Sequence, residues 1–475
     1  MKKTTDVSKW TILIIVLMAT FMAALDSSII NVALPSMATV LGVTTSNIQL
    51  VATSYLIMIA GTVLIFGKLG DMLGKTKMFT LGLALFTLGS LLCSVTHSFP
   101  VLILARIIQA VGAAGTMANN QGIITEVFPP NERGKALGLL GTFVALGSLV
   151  GPGLGGLIVG ATSWEFIFLI NVPIGIIVLI CCFIYLPQDH KSSHGNLDII
   201  GASLFMFTIV PLFVALNGGI RYGFASPPIL LGFMISIISF IAFISVEKRR
   251  ADPLIHLKMF ENKLFTLSIF CGFISFVAMF CSNIILPFYL QNVMLYTPQY
   301  AGLILMLFPL FLSVVAPVSG HLSDKIGSEI LTFIGLALLS LGLFFMSTLN
   351  ESTTLPTMIL FIGTMSIGTG LFQAPNNSLI MSTVAKDKLG IAGSINALIR
   401  NLGMVCGIAL ATTLLYSMMS SKLGYRVTDF VVGRNDAFLY GMKAVYISAG
   451  VISLLGAVLT FLRLTRKTSI ITDNL

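Results

Sequence analysis

The chain alternates between long apolar stretches and short polar breaks. Crossing a bilayer takes about 20 apolar residues. Runs of that length fall at roughly 11–34, 46–67, 78–96, 100–125, 134–158, 165–186, 198–217, 227–246, 264–290, 299–319, 330–348, 355–381, 388–418 and 438–462. The pattern predicts an all-α integral membrane protein of fourteen transmembrane helices. The first run follows Lys2, Lys3 and Lys9 and resembles a signal anchor. It carries no small-residue cleavage site and Asp26 interrupts it, so it reads as a retained helix.

The polar breaks contain a repeat. Gly67-Lys68-Leu69-Gly70-Asp71-Met72-Leu73-Gly74 follows the second run, and Gly320-His321-Leu322-Ser323-Asp324-Lys325-Ile326-Gly327 follows the tenth. Gly, Leu, Asp and Gly match at a constant offset of 253. Asn119-Asn120 and Asn376-Asn377 echo one another at 257. Two homologous six-helix bundles, 1–190 and 264–475, would produce this, with 191–263 a linker that carries two extra helices. Such repeats mark transporters that rock one half against the other around a midplane site.

Composition agrees. Of 475 residues, 56% are hydrophobic and only 9% charged, and the mean hydropathy is +0.99. A soluble domain is about a quarter charged, so lipid must be the solvent here, and disorder is excluded. The net charge of +9 does not point to nucleic acid, because the basic residues sit in short loops. With the N-terminus inside, twenty Lys and Arg fall on the cytoplasmic side and five outside. This skew predicts both termini in the cytoplasm. The six cysteines all lie in apolar runs and read as buried free thiols. His190 and His194 could share a helix face, but two histidines without a third ligand make a poor metal site. No metal, nucleotide or other cofactor is expected.

Five segments in order resemble the major facilitator superfamily, specifically its fourteen-helix drug/proton antiporter branch, over nearly the whole chain. Gly67 to Lys77 resembles the loop between helices 2 and 3. Leu25-Asp26-Ser27-Ser28-Ile29-Ile30-Asn31-Val32-Ala33-Leu34-Pro35 resembles the helix 1 motif. Arg106-Ile107-Ile108-Gln109-Ala110-Val111-Gly112 resembles the helix 4 motif. Gly147-Ser148-Leu149-Val150-Gly151-Pro152-Gly153-Leu154-Gly155-Gly156 resembles the helix 5 antiporter motif. Trp164-Glu165-Phe166-Ile167-Phe168-Leu169-Ile170-Asn171-Val172-Pro173 resembles the start of helix 6. Met72 stands where arginine is common and Glu165 where a basic residue is common.

Asp26 and Arg106 are the expected proton-coupling residues. A charge at a helix centre costs roughly 2.5–3.5 kcal/mol, so it needs a wet cavity, a partner or a proton. Counted from Pro35 and Phe99, the two lie at similar depth, about 13 and 10 Å. The resemblance implies that helices 1 and 4 line a cavity, where proton and cationic cargo would compete for the Asp26 carboxylate. The alternative is a fixed ion pair that only locks two helices.

The run Gly147, Gly151, Pro152, Gly155 and Gly156 offers a flat, bent face. It reads as a sliding seam between the halves or as plain small-residue packing. The resemblance places Asp71 and Asp324 near helix starts of the opposite half, around Gly390 and Gly134. With Gly67, Gly74 and Lys75 they form an expected latch; otherwise they are surface charges. Asn31, Tyr55, Gln109, Asn119, Asn120, Gln373, Asn376, Asn377 and Arg400 are the expected substrate-cavity residues. Interhelical hydrogen bonding is the competing reading for the amides, while for Arg400 anion contact, a gate and packing all stay open.

The function expected from the resemblance is export of lipophilic, cationic drugs or dyes in exchange for protons, by a monomer in a bacterial cytoplasmic membrane. An exporter of a cellular lipid, peptide or siderophore, or of a tetracycline-like compound, would use the same mechanism. A membrane-embedded enzyme or a channel is a remote alternative: the chain has no phosphate-cradling loop and no catalytic cluster.

Overall fold

The computed structural model describes residues 8–129, 132–187, 189, 198–250, 257–384 and 389–472. His190 and His194 lie outside the described residues, and so do the surroundings of Asp324, Gly134 and Gly390. Among the described residues, all fourteen runs are helical. They are α1 (Lys9–Leu41), α2 (Leu50–Leu73), α3 (Lys75–Val95), α4 (Phe99–Val127), α5 (Arg133–Ala161), α6 (Asn171–Tyr185) and α7 (Ile199–Tyr222), then α8 (Pro227–Glu247), α9 (Lys263–Phe288), α10 (Leu307–Ile326), α11 (Ser328–Met346), α12 (Leu355–Ser382), α13 (Leu389–Leu423) and α14 (Asn435–Thr472). Thirteen described helical segments are long and apolar enough to cross a membrane, and α7 contributes the shorter apolar stretch Ile200–Leu216.

Helix ends follow local chemistry. The Ser8 side chain caps α1 by accepting from the Trp10 amide at 3.4 Å. α1 runs through Pro35 to Leu41, beyond the apolar run, and closes on Gly42 at φ +63°, a left-handed conformation that glycine adopts without penalty. Asn262 caps α9, its Oδ1 accepting from the amides of Leu264 and Phe265. Beyond Pro287, α9 continues as a π turn over Tyr289–Val293.

The chain forms two compact units. Met1–Val43, Leu50–Leu212 and Gly232–Leu254 make the first; Thr44–Gln49, Phe213–Leu231 and Ile255–Leu475 make the second. The inserted helices α7 and α8 therefore build no unit of their own.

In the first unit α1 lies along α5, and α3 along α4. The α3–α4 contact is backbone on backbone. A Cβ on Gly112 would fall 2.2 Å from the Phe86 nitrogen, and one on Gly89 would fall 2.5 Å from the Gln109 nitrogen. In the second unit the same architecture recurs: α9 lies along α13, and α11 along α12. A Cβ on Gly368 would fall 2.3 Å from the Leu339 nitrogen, and one on Gly342 would fall 2.5 Å from the Met365 nitrogen. Gly147 abuts Phe21, Ala24 and Leu25, as Gly403 abuts Phe273, Phe276 and Val277.

These contacts fix the repeat residue by residue. They also shift the asparagine echo. Gly368 answers to Gly112, which makes Asn376 the counterpart of Asn120 and not of Asn119. The hydrogen bonds agree, because each side chain reaches the first helix of its own unit. Asn120 Nδ2 donates to Thr20 Oγ1 at 3.5 Å, and Asn376 Nδ2 donates to the Ser268 carbonyl at 3.1 Å.

Candidate functional site

The first unit buries a charged network where α1, α3, α4 and α6 meet. Asp26 and Arg106 are both 0% exposed. Arg106 Nη1 donates to Asp26 Oδ2 at 2.7 Å and to Gln109 Oε1 at 2.6 Å. Gln109 Nε2 donates to Asp26 Oδ1 at 2.8 Å and to Ser90 Oγ at 2.8 Å. Asn171 Nδ2 donates to the same Oδ1 at 2.9 Å. Arg106 Nε donates to the Val51 carbonyl at 3.0 Å. The guanidinium lies over the Tyr55 ring at 4.1 Å and near that of Phe168 at 5.5 Å.

The glycine contacts explain the assembly. With no side chain at Gly89, the α3 and α4 backbones touch, and Ser90 comes within reach of Gln109. Arg106 stands one turn before Gln109 on α4, so both side chains reach Asp26. Removing one member of such a buried pair costs about 3–5 kcal/mol, whereas replacing the whole pair by apolar residues is often neutral.

Asp26 meets Arg106 as the matched depths suggested. Of the three conditions under which a buried charge persists, the structure shows a partner: both Asp26 carboxylate oxygens are engaged and the side chain is sealed by its neighbours. Gln109 and Tyr55 belong to this network and are buried, so they do not line open space as expected. Asn119 is 1% exposed and donates to the carbonyls of Phe66 and Gly115; Asn376 is 3% exposed. Both serve helix packing in this structure. Asn31, Gln373 and Arg400 are half-buried and Asn377 is exposed. Asn120 is buried.

The helix 5 glycines are also corrected. A Cβ on Gly147, Gly151 or Gly155 would run into Phe21, Ser28 or Ile29 of α1. The faces expected to form a sliding seam are therefore filled by α1 of the same unit. Ser28 Oγ reinforces the contact by donating to the Gly147 carbonyl at 3.1 Å. Pro152 and Gly156 are buried in the same helix.

At the loop motif, Asp71 is 62% exposed and lies 3.8 Å from Lys75 Nζ, which also pairs with Glu126 at 2.7 Å. A Cβ on Gly67 would meet nothing within 4 Å. Gly74 has φ +109° and its counterpart Gly327 φ +92°, so both loops need glycine. At Gly74 there is a second reason: a Cβ would fall 2.2 Å from the Asp189 carboxylate. That carboxylate accepts from the amides of Thr76 and Lys77 at 2.9 and 2.8 Å and so caps α3.

Sequence reasoning missed Asn171, Ser90 and Asp189. Asn171 stands inside a recognisable motif as a polar residue in an apolar run, which was the available signal. Ser90 and Asp189 gave none beyond their polarity.

The Major Facilitator Superfamily model matches residues 16–268 and 268–471. The riboflavin transporter RibZ of Clostridioides difficile (strain 630) is 34% identical over 464 residues, covering 97% of this chain and 99% of its own. The multidrug transporter protein MdtP of Bacillus subtilis (strain 168) is 30% identical over 439 residues, covering 92% of this chain and 80% of its own. A crystal structure of a POT family transporter in complex with a thioalcohol-conjugated peptide superposes with a TM-score of 0.72 at 15% identity, covering 96% of each chain, a likeness of fold. The chain is therefore a multi-pass membrane transporter, and it belongs to the major facilitator superfamily.

Proposed function

We propose that this transporter exports lipophilic organic molecules across a bacterial cytoplasmic membrane in exchange for protons, as a monomer with both termini inside. One observation carries the reading. The positions that answer to Asp26, Ser90, Arg106 and Gln109 in the second unit are Ala278, Leu343, Ile362 and Met365, all buried. The same scaffold packs there without a charge, so the network in the first unit is kept for something other than holding helices together. A carboxylate that exchanges Arg106 for a proton as the helices rearrange is the chemistry that such a network offers. Cargo then acts on Asp26 through the opening of the network and need not touch it in the sealed state. Asp71 and Asp324 act as the cytoplasmic latch in this scheme.

The likeness to RibZ supports a second reading, in which the cargo is a flavin-like heteroaromatic. Proteoliposomes with an imposed pH gradient test both. The export reading expects cationic, neutral or zwitterionic lipophiles to move while the internal pH collapses faster. Riboflavin movement alone would favour the second reading, and cargo movement with no proton flux would contradict coupling.

A further inference from the structure

Arg400, in α13, has no hydrogen-bond or ion-pair partner among the described residues. It is half-buried. A cation inside a span persists only with a partner or a wet cavity. The scaffold does not need it: Gly403 answers to Gly147, which puts Val144 at the equivalent position in α5. Deep in the described spans Asp26 and Arg106 cancel, whereas Arg400 stays uncompensated.

Its surroundings are polar and under-used. One turn earlier on α13, Asn396 Nδ2 donates to Asn377 Oδ1 of α12 at 2.9 Å. Gln373 stands one turn before Asn377 on α12 and Arg400 one turn after Asn396 on α13, so in antiparallel helices joined by this bond the two lie at similar depth. The two helices otherwise make little contact. Gln373 is half-buried, also with no partner among the described residues. On the α9 side, Asn376 Oδ1 and Ser268 Oγ are buried without a hydrogen bond, although Asn376 Nδ2 is engaged. Pro375 offers no N–H to the carbonyl of Leu371. Two helices of the unit, α12 and α9, thus present unused polar groups, and a third, α13, carries a cation with no partner among the described residues.

We propose that Arg400 and Gln373 form a subsite for a carboxylate carried by an otherwise lipophilic cargo. This rests on the export reading and names its cargo class. The guanidinium fork matches two carboxylate oxygens, and the Gln373 amide supplies a further donor.

The test uses the full chain in lipid nanodiscs and two probes, a rhodamine free acid and its methyl ester, with binding read by fluorescence polarisation. Arg400→Gln is expected to weaken the free acid roughly tenfold or more and to leave the ester within about twofold. Arg400→Lys retains part of the preference, and Gln373→Ala loses a smaller part. Removing an unpaired charge leaves the melting temperature of Arg400→Gln unchanged or higher. Equal effects on acid and ester, no effect on either, or a collapse of Tm would overturn the subsite. Failure of Arg400→Gln to fold counts as that collapse and overturns the subsite whatever Gln373→Ala shows. Wild-type binding of neither dye contradicts the subsite and the export reading together; wild-type ester binding with no acid preference contradicts the subsite alone.

Discussion

At the scale of single residues, the buried carboxylate decides what a substitution costs. Asp26→Ala strands Arg106 at 0% exposure, with only Gln109, the Val51 carbonyl and two rings around it. The expected loss is about 3–5 kcal/mol, read as a large fall in Tm in detergent; a Tm within error of wild type would show that Arg106 finds other compensation. Asp26 and Arg106 were legible in the sequence because a charge within an apolar run is rare and costly. That Asp26 is sealed was not legible, since burial depends on Gln109, Asn171 and Tyr55 arriving from three other helices. Asn119 and Asn376 illustrate the same limit: an amide in a membrane helix looks alike whether it faces a neighbour or open space.

At the scale of elements, close helix contacts carry the structure. Gly147→Ala must push α5 off the Phe21 carbonyl, which a Cβ would approach to 2.8 Å, and is expected to cost about 1–3 kcal/mol. Gly138→Ala in the same helix meets nothing within 4 Å and should be neutral or slightly stabilising. Thermal melts of the two variants check this; equal Tm values would contradict the packing. Asp189→Ala removes the carboxylate that caps α3 and should cost about 0.5–2 kcal/mol, measurable in the same way, with an unchanged Tm the contrary result. The helices themselves were readable from apolar length. Their contacts were only half readable: the glycine run announced a close approach, but not that α1 is the helix that fills it.

At the scale of the whole molecule, the duplication is the most informative feature. The repeated loop motif exposed it in the sequence, and the glycine contacts then gave the pairing that shows Ala278, Leu343, Ile362 and Met365 standing where the first unit keeps its network. The central claim is that this network serves transport and not folding. The direct measurement is a graft of the second unit's residues into the first: Asp26→Ala, Ser90→Leu, Arg106→Ile and Gln109→Met together. The account predicts a chain that melts above the single Asp26→Ala variant yet moves no cargo in response to a pH gradient in proteoliposomes. A graft that unfolds, or one that folds and still exports under the gradient, would contradict it.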